Sequence, residues 1–230
     1  MTRRARSVVA TLLPVCWVIG GGWAHGADGG RTPGAAERVA PTELEELMDL
    51  FASSGGVRAR FKESRHLAIL MTPIETHGVL YFAPPDRLAR HTTWPGRARV
   101  VVDGERVAFG DETGHQVLEL GASEIARALV SNLAVVLRGD LEALRARYAI
   151  AFRSDAGTWT LDLEPRSRSL RGIIARVRFS GSTEHLTEVE TRESNGDRTL
   201  LKFSDVVTGL AWTDDELAQI FALGSSQDTP

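Results

Sequence analysis

Six histidines, at positions 25, 66, 77, 91, 115 and 185, are the side chains best suited to move a proton or ligate a metal near neutral pH. No two stand at the helical spacing of a metal pair, and no carboxylate-rich loop lies between them. His66, His77 and His91 fall on neighbouring strand-like segments and can meet across a sheet; their polar, charged neighbours favour solvated strand faces. Serine, histidine and aspartate are all present, but no strand–turn–helix nucleophile elbow is visible. No glycine-rich phosphate loop follows a strand. Asp214-Asp215-Glu216 reads as the acidic first turn of a helix, favourable to its dipole. Arg138-Gly139-Asp140 spells an adhesion tripeptide, but a glycine that ends one helix and an aspartate that starts the next explains it. Cys16 is the single cysteine, so no disulfide or thiolate metal site is expected. The residue chemistry therefore points to no catalytic residue, no metal, no cofactor and no enzyme.

What remains is apolar surface and the elements that must position it. The chain opens with Arg3, Arg4 and Arg6, then an apolar run from Val8 to Ile19, then small residues up to Ala24 and Ala27. That is the layout of a cleaved secretory signal, expected over residues 1–27, and the apolar run is short for a membrane span. Residues 28–41 are rich in Gly, Ala and Pro and read as a flexible leader. Residues 42–222 form one expected domain, and 223–230 a disordered tail. Of 27 basic residues, removing Arg3, Arg4 and Arg6 leaves 24 against 30 acidic ones. That balance argues against nucleic acid as a partner and against electrostatic capture by anionic lipid.

Thr42 with Glu45 reads as a capping box that opens a helix with Leu44, Leu47, Met48 and Phe51 on one face; Ser53-Ser54-Gly55-Gly56 ends it. Val57–Leu70 reads as a long strand with Val57, Ala59, Phe61, Leu67 and Ile69 inward. Glu63 and Arg65 break that inward side, so a bend or bulge is expected there. Strands His77–Phe82, Arg87–Thr93, Arg99–Val102 and Arg106–Phe109 follow, the last two joined by the hairpin signal Asp103-Gly104. From Ile125 to Leu137 the period becomes helical, and no charge occurs between Arg127 and Arg138, so most of that helix needs cover. Gly139 stops it and Asp140 caps the next helix, Leu141–Arg147. One-faced strands return around Trp159–Leu163, Ile173–Phe179, Val189 and Thr199–Phe203, the last preceded by the turn Asn195-Gly196. A helix from Asp214 to Ala222, capped by Thr213, closes the pattern. The sum is an α+β domain: an antiparallel sheet with helices on one face.

Several short motifs in order resemble the periplasmic outer-membrane lipoprotein carrier (LolA-like) family. They are Val57-x-Ala59-x-Phe61-x-Glu63, Gly78-x-Leu80-x-Phe82 running into Pro85-Asp86-Arg87-Leu88, and Pro95 before a strand ending in Asp103-Gly104. Leu137-x-Gly139-Asp140 and Trp159-x-Leu161-x-Leu163-x-Pro165 continue the series. The resemblance implies an unclosed antiparallel β-barrel, a curved sheet with helices packed as a lid over an apolar cavity. It implies a soluble periplasmic monomer that shields the acyl chains of a lipoprotein or other lipid, with an inner-membrane donor complex and an outer-membrane acceptor as partners. Ala83 and Pro84 stand where the family usually carries a basic residue that latches the lid, and Arg90 stands where an aromatic is usual, so that latch does not carry over.

Combining parity with this resemblance, Phe61, Leu80, Phe82, Leu88, Trp94 and Val101 are expected to line the cavity from the first run of strands. Trp159, Leu161, Leu163, Val177, Phe179, Leu201 and Phe203 are expected from the second run, with Leu129 and Leu133 on the lid. A non-catalytic cell-envelope scaffold that binds a protein partner through its sheet edge is the second reading. A hydrolase of a lipid pathway is the third, and it lacks a visible activated nucleophile.

Overall fold

In a computed structural model, residues 41–104, 106–111, 113–119, 133–155, 157–182 and 185–222 are described. The expected signal, most of the leader, the tail, and Ile125 and Leu129 of the lid lie outside these residues.

Eleven strands form one antiparallel sheet that is not closed into a barrel. β1 (Gly56–His66), β2 (Ile74–Ala83), β3 (Arg87–Trp94), β4 (Ala98–Asp103), β5 (Arg106–Asp111) and β6 (Gly114–Glu119) make one meander. β7 (Tyr148–Asp155), β8 (Thr158–Pro165), β9 (Ile174–Ser182), β10 (Leu186–Glu193) and β11 (Arg198–Leu210) make the second. The halves join where β1 pairs with β11, in the order β6-β5-β4-β3-β2-β1-β11-β10-β9-β8-β7. β6 and β7, the two edges, are absent from the sequence reading above.

Cross-strand register fixes which side chains share the inner face. Phe61 stands opposite Gly78 and Phe203, Ala59 opposite Leu80, and Val57 opposite Phe82. The face continues through Leu88, Val102 and Val107 on one side, and through Leu201, Val189, Phe179 and Leu161 on the other. At Gly78 any Cβ would collide with the His91 carbonyl oxygen and meet the Phe61 ring at 2.8 Å, so the absent side chain makes room for both the neighbouring strand and the aromatic ring. The outer face of the second half is ionic. Asp162 pairs with Arg153, Arg176 and Arg178, and Glu190 with Arg176, Arg192 and Arg198.

Helices cover the inner face. The amino-terminal helix spans Pro41–Ser53, beginning one residue before the expected cap Thr42. It buries Leu44, Leu47, Met48 and Phe51 against the second half of the sheet, with Phe51 edge-on to Trp159 at 5.7 Å. A helical stretch at 133–137 follows the lid sequence. Gly139, at φ 71°, ends it so close to the amino-terminal helix that a Cβ would collide with the Met48 carbonyl. Asp140 then caps the helix Leu141–Arg147 by accepting from Ala143 N at 2.9 Å, as its place after the glycine predicts. The carboxy-terminal helix, Asp214–Phe221, has the full capping box of Thr213 and Glu216. It sits on the opposite, outer face, where the carbonyls of Ile220 and Ala222 accept from His91 and Arg99.

Two expectations for β1 change. The strand ends at His66, not Leu70, and Ile69 stands 77% exposed in the following loop. No bulge occurs at Glu63 and Arg65, because their register with β2 runs unbroken. These charged side chains stay inside, Glu63 paired with Arg90 and Arg65 with Glu193. The register shifts of β1 lie at its other end, against β11, between Gly56 and Arg60.

Candidate functional site

The inner face holds two apolar clusters with a seam between them. Phe61, Phe82, Leu88, Val102, Val107 and Phe109 belong to the first half of the sheet. Trp159, Leu161, Leu163, Val177 and Phe179 belong to the second, with the amino-terminal helix. The stretch 133–137 wedges into the seam: Ala134 and Leu137 pack into the first cluster, Val135 and Val136 into the second, and Leu133 against both. Every side of that stretch is covered by apolar neighbours, which accounts for its lack of charge.

Beside the wedge a cleft remains, with about 430 Å³ of non-atom space, part of it open to solvent. Phe51, Val57, Ala59, Leu80, Leu133, Leu137, Leu186, Phe203 and Val206 line it, with Ser54, His185 and Thr208 as its polar members. Its apolar lining has the character of a small-ligand site, while the free space enclosed in it is small, about 30 Å³. Its lining comes from the end of the amino-terminal helix, the starts of β1 and β10, the later parts of β2 and β11, and the stretch 133–137, so the cleft opens at one end of the sheet. Strand parity at β11 is reset by Asp205, whose φ of 50° makes a left-handed kink. Aspartate tolerates that region better than most residues. Beyond the kink, Val206 and Thr208 reach the cleft after Phe203.

At the other end the inner face turns polar. Glu63, only 2% exposed, accepts from Arg90 Nη1 at 2.7 Å and from the Thr76 hydroxyl at 3.4 Å. Arg90 Nη2 also donates to Thr76 Oγ1 at 2.9 Å, and the guanidinium lies 4.4 Å from the centre of the Phe61 ring. Arg65 approaches Glu193 at 3.7 Å. These pairs plug the trough opposite the cleft.

Of the expected lining residues, Leu80, Leu133 and Phe203 line the cleft. Phe61, Phe82, Leu88, Trp159, Leu161, Leu163, Val177 and Phe179 point inward but are packed in the clusters, and Leu201 packs against the first. Two do not face inward. Val101 alternates out of phase with Val100 and Val102, opposite Ala89 and Ala108 on the outer face. Trp94 pairs with His77 beyond a register shift and is 52% exposed, its ring 5.3 Å from the imidazole. Leu129 lies outside the described residues. Sequence reasoning missed Phe51, Leu137 and Leu186, and the kink hid Val206; Val57 and Ala59 carried the same parity as Phe61 and were legible.

Among the described residues no side-chain hydrogen bond links Ser54, His185 and Thr208, the polar members of the cleft, to one another. Ser64 Oγ lies 3.3 Å from His66 Nε2 on β1, but the imidazole is exposed and among the described residues no carboxylate orients it. Nor do three potential metal ligands gather anywhere among the described residues. None of the helices there is long and apolar enough to cross a membrane.

The family model described as "Outer membrane lipoprotein carrier protein LolA" matches residues 53–217. An outer-membrane lipoprotein carrier protein of Pseudomonas fluorescens is 24% identical over 72% of this chain and 78% of its own length. Its namesake from Chromohalobacter salexigens is 25% identical over 57% of this chain and 60% of its own. Among solved structures, a LolA superfamily protein of Nitrosomonas europaea, NE2245, matches with a TM-score of 0.46 and 12% identity, over 80% of this chain and 98% of that one.

Proposed function

The chain belongs to the outer membrane lipoprotein carrier protein LolA family, and from that premise we propose that it is a non-catalytic periplasmic carrier that shields acyl chains of a lipoprotein or another lipid. The observation that carries the reading is the cleft: an apolar trough between two half-sheets, lidded by helices and open at one end. An acyl chain of about sixteen carbons in water costs roughly 12 kcal/mol, at ~0.8 kcal/mol per methylene. A carrier must recover most of that and still release its cargo, which suits a modest, openable cleft. In this reading the amino-terminal signal expected over residues 1–27 directs export, the cargo arrives from an inner-membrane donor and leaves to an outer-membrane acceptor, and the carrier travels as a monomer.

The test is lipid extraction of the purified protein followed by mass spectrometry, with uptake of a fluorescent fatty acid in parallel. Acyl chains are expected in the extract. Ala59→Phe, which fills the cleft from β1, is expected to lower uptake at least ten-fold. An acyl-free extract together with uptake unchanged in Ala59→Phe would sink the proposal.

A further inference from the structure

The loop between β1 and β2 does something unusual for a protein surface. From Leu67 to Ile74 it carries no charge. Ile69 is 77% exposed, Leu70 and Ile74 nearly half exposed, and Met71 wholly so. Contiguous large apolar side chains held in water mark a surface that meets something. The loop is held in place: Ala68 N donates to Asp197 Oδ1 at 2.8 Å, Asn195 Nδ2 to Asp197 Oδ2 at 3.0 Å, and Leu70 N to the Leu67 carbonyl at 2.9 Å.

Register shows what else stands at this end of the sheet. The β3–β4 hairpin is the neighbour, and it presents the half-exposed Trp94 and then the exposed Arg97. On the other side, the turn that holds Asp197 is tied to the short helix Arg168–Arg171: Ser194 Oγ donates to the Arg171 carbonyl at 2.6 Å and Ser194 N to the Ile173 carbonyl at 2.9 Å. Arg168 and Arg171 are exposed, and neither they nor Arg97 join an ion pair among the described residues. Of the acids at this end, Glu75 pairs with Lys62 and Glu193 with Arg65, Asp197 accepts from the loop backbone and Asp111 from Thr113, and Glu164 is exposed.

We propose that this end of the sheet docks on a lipid bilayer bearing anionic headgroups, with Ile69, Leu70, Met71 and Ile74 entering the apolar layer. Trp94 suits the interface, where one side of the ring is apolar and the other wet. Arg97, Arg168 and Arg171 face the phosphates. A protruding aliphatic tip flanked by three exposed arginines outside any ion pair among the described residues fits a bilayer better than a protein groove, which a tip could fill without a basic surround. The cleft lies at the opposite end, roughly 30 Å away along β1 at ~3.3 Å per residue. Docking therefore leaves the cleft facing the aqueous side, and the inference stands whether or not the cleft carries acyl chains.

The test is flotation of the full chain with vesicles of phosphatidylethanolamine and phosphatidylglycerol, against vesicles of phosphatidylcholine alone. The protein is expected to float with the anionic vesicles. Ile69→Asp/Met71→Asp is expected to bind them at least ten-fold less, with its unfolding midpoint and fatty-acid uptake unchanged. Arg168→Glu/Arg171→Glu and high salt are expected to weaken binding to anionic vesicles only. Equal flotation of wild type and Ile69→Asp/Met71→Asp would overturn the proposal. So would binding confined to vesicles that carry membrane proteins, which would make the occupant a protein.

Discussion

Glu63 is a carboxylate buried on an apolar face, and its neighbours explain how that is tolerated. Arg90 supplies the opposite charge, Thr76 bridges the two, and the Phe61 ring lies under the guanidinium. The net worth of such a pair against an apolar pair is near zero, because desolvation offsets the attraction, yet removing one partner leaves a buried charge unmatched. Arg90→Met is therefore expected to destabilise the fold by about 3–5 kcal/mol in denaturant unfolding. Glu63→Leu/Arg90→Met is expected to recover most of that loss. A neutral Arg90→Met would mean that water reaches Glu63. On the outer face, burial pushes the Glu190 carboxyl up, but Arg192 and Arg198 pull it further down, to a net value below its usual 4.5. A depressed carboxylate contributes stability above its unfolded value and loses it as pH falls through the folded value. Glu190→Gln is expected to cost about 1–2 kcal/mol at pH 7, and the gap to wild type should close as the pH is taken below 4.5. A gap that persists at low pH would assign the loss to packing instead of charge.

Among the elements, the carboxy-terminal helix has the most conditional attachment. Its Leu217, Ile220 and Phe221 are only half-buried, and it leans on β3 through His91 Nε2, which donates to the Ile220 carbonyl at 2.8 Å. Burial lowers the His91 pKa below 6.5 despite that hydrogen bond. Since the folded value is the lower one, docking is complete above pH 6.5 and weakens as pH falls through the folded value. Amide exchange in Asp214–Phe221 is expected to quicken between pH 7 and 5 more than for β1, after correction for intrinsic rates. In His91→Gln that extra acceleration should disappear. The Thr213 cap of this helix, the Asp140 cap and the Asp103-Gly104 and Asn195-Gly196 turns were all legible because each is a local pattern whose physics acts within four residues. Edge strands β6 and β7 were harder: β6 offers only Val117 and Leu118 as large apolar residues, whereas Tyr148, Ile150 and Phe152 of β7 did alternate and were overlooked beside the preceding helix. Val101 was misplaced because three consecutive valines carry no parity. Glu63 and Arg65 suggested a bend because their partners, Arg90 and Glu193, lie on strands that only the register brings alongside. Net charge is a sum over the chain and does not report the three arginines that the topology places at one end.

At the scale of the molecule, two meanders share one seam, and the stretch 133–137 closes it. That stretch has apolar contacts on all sides, and its end is clamped by Arg138, Gly139 and Asp140, whose amides donate to the carbonyls of Ala134, Val136 and Val135 at 3.0, 2.9 and 3.1 Å. The cleft beside it encloses only about 30 Å³ of free space, and the rest of the trough is occupied by packed side chains. A cargo larger than the cleft must lift the wedge, exposing Leu133, Val135, Val136 and Leu137 at about 1.5–3 kcal/mol for each large side chain. Acyl chains laid along the same inner face cover those surfaces again, so opening and loading become one coupled equilibrium instead of two steps. Loading with a long-chain fatty acid is therefore expected to speed amide exchange at Arg138, Gly139 and Asp140, while the β1–β11 amides at the seam keep their protection. Ala134→Leu, which enlarges the wedge within the first cluster, is expected to shift the balance toward the open form and to raise uptake. Unchanged exchange at these three amides in a fully loaded protein would mean that the cleft holds its cargo without moving the wedge, and would limit that cargo to what the cleft encloses.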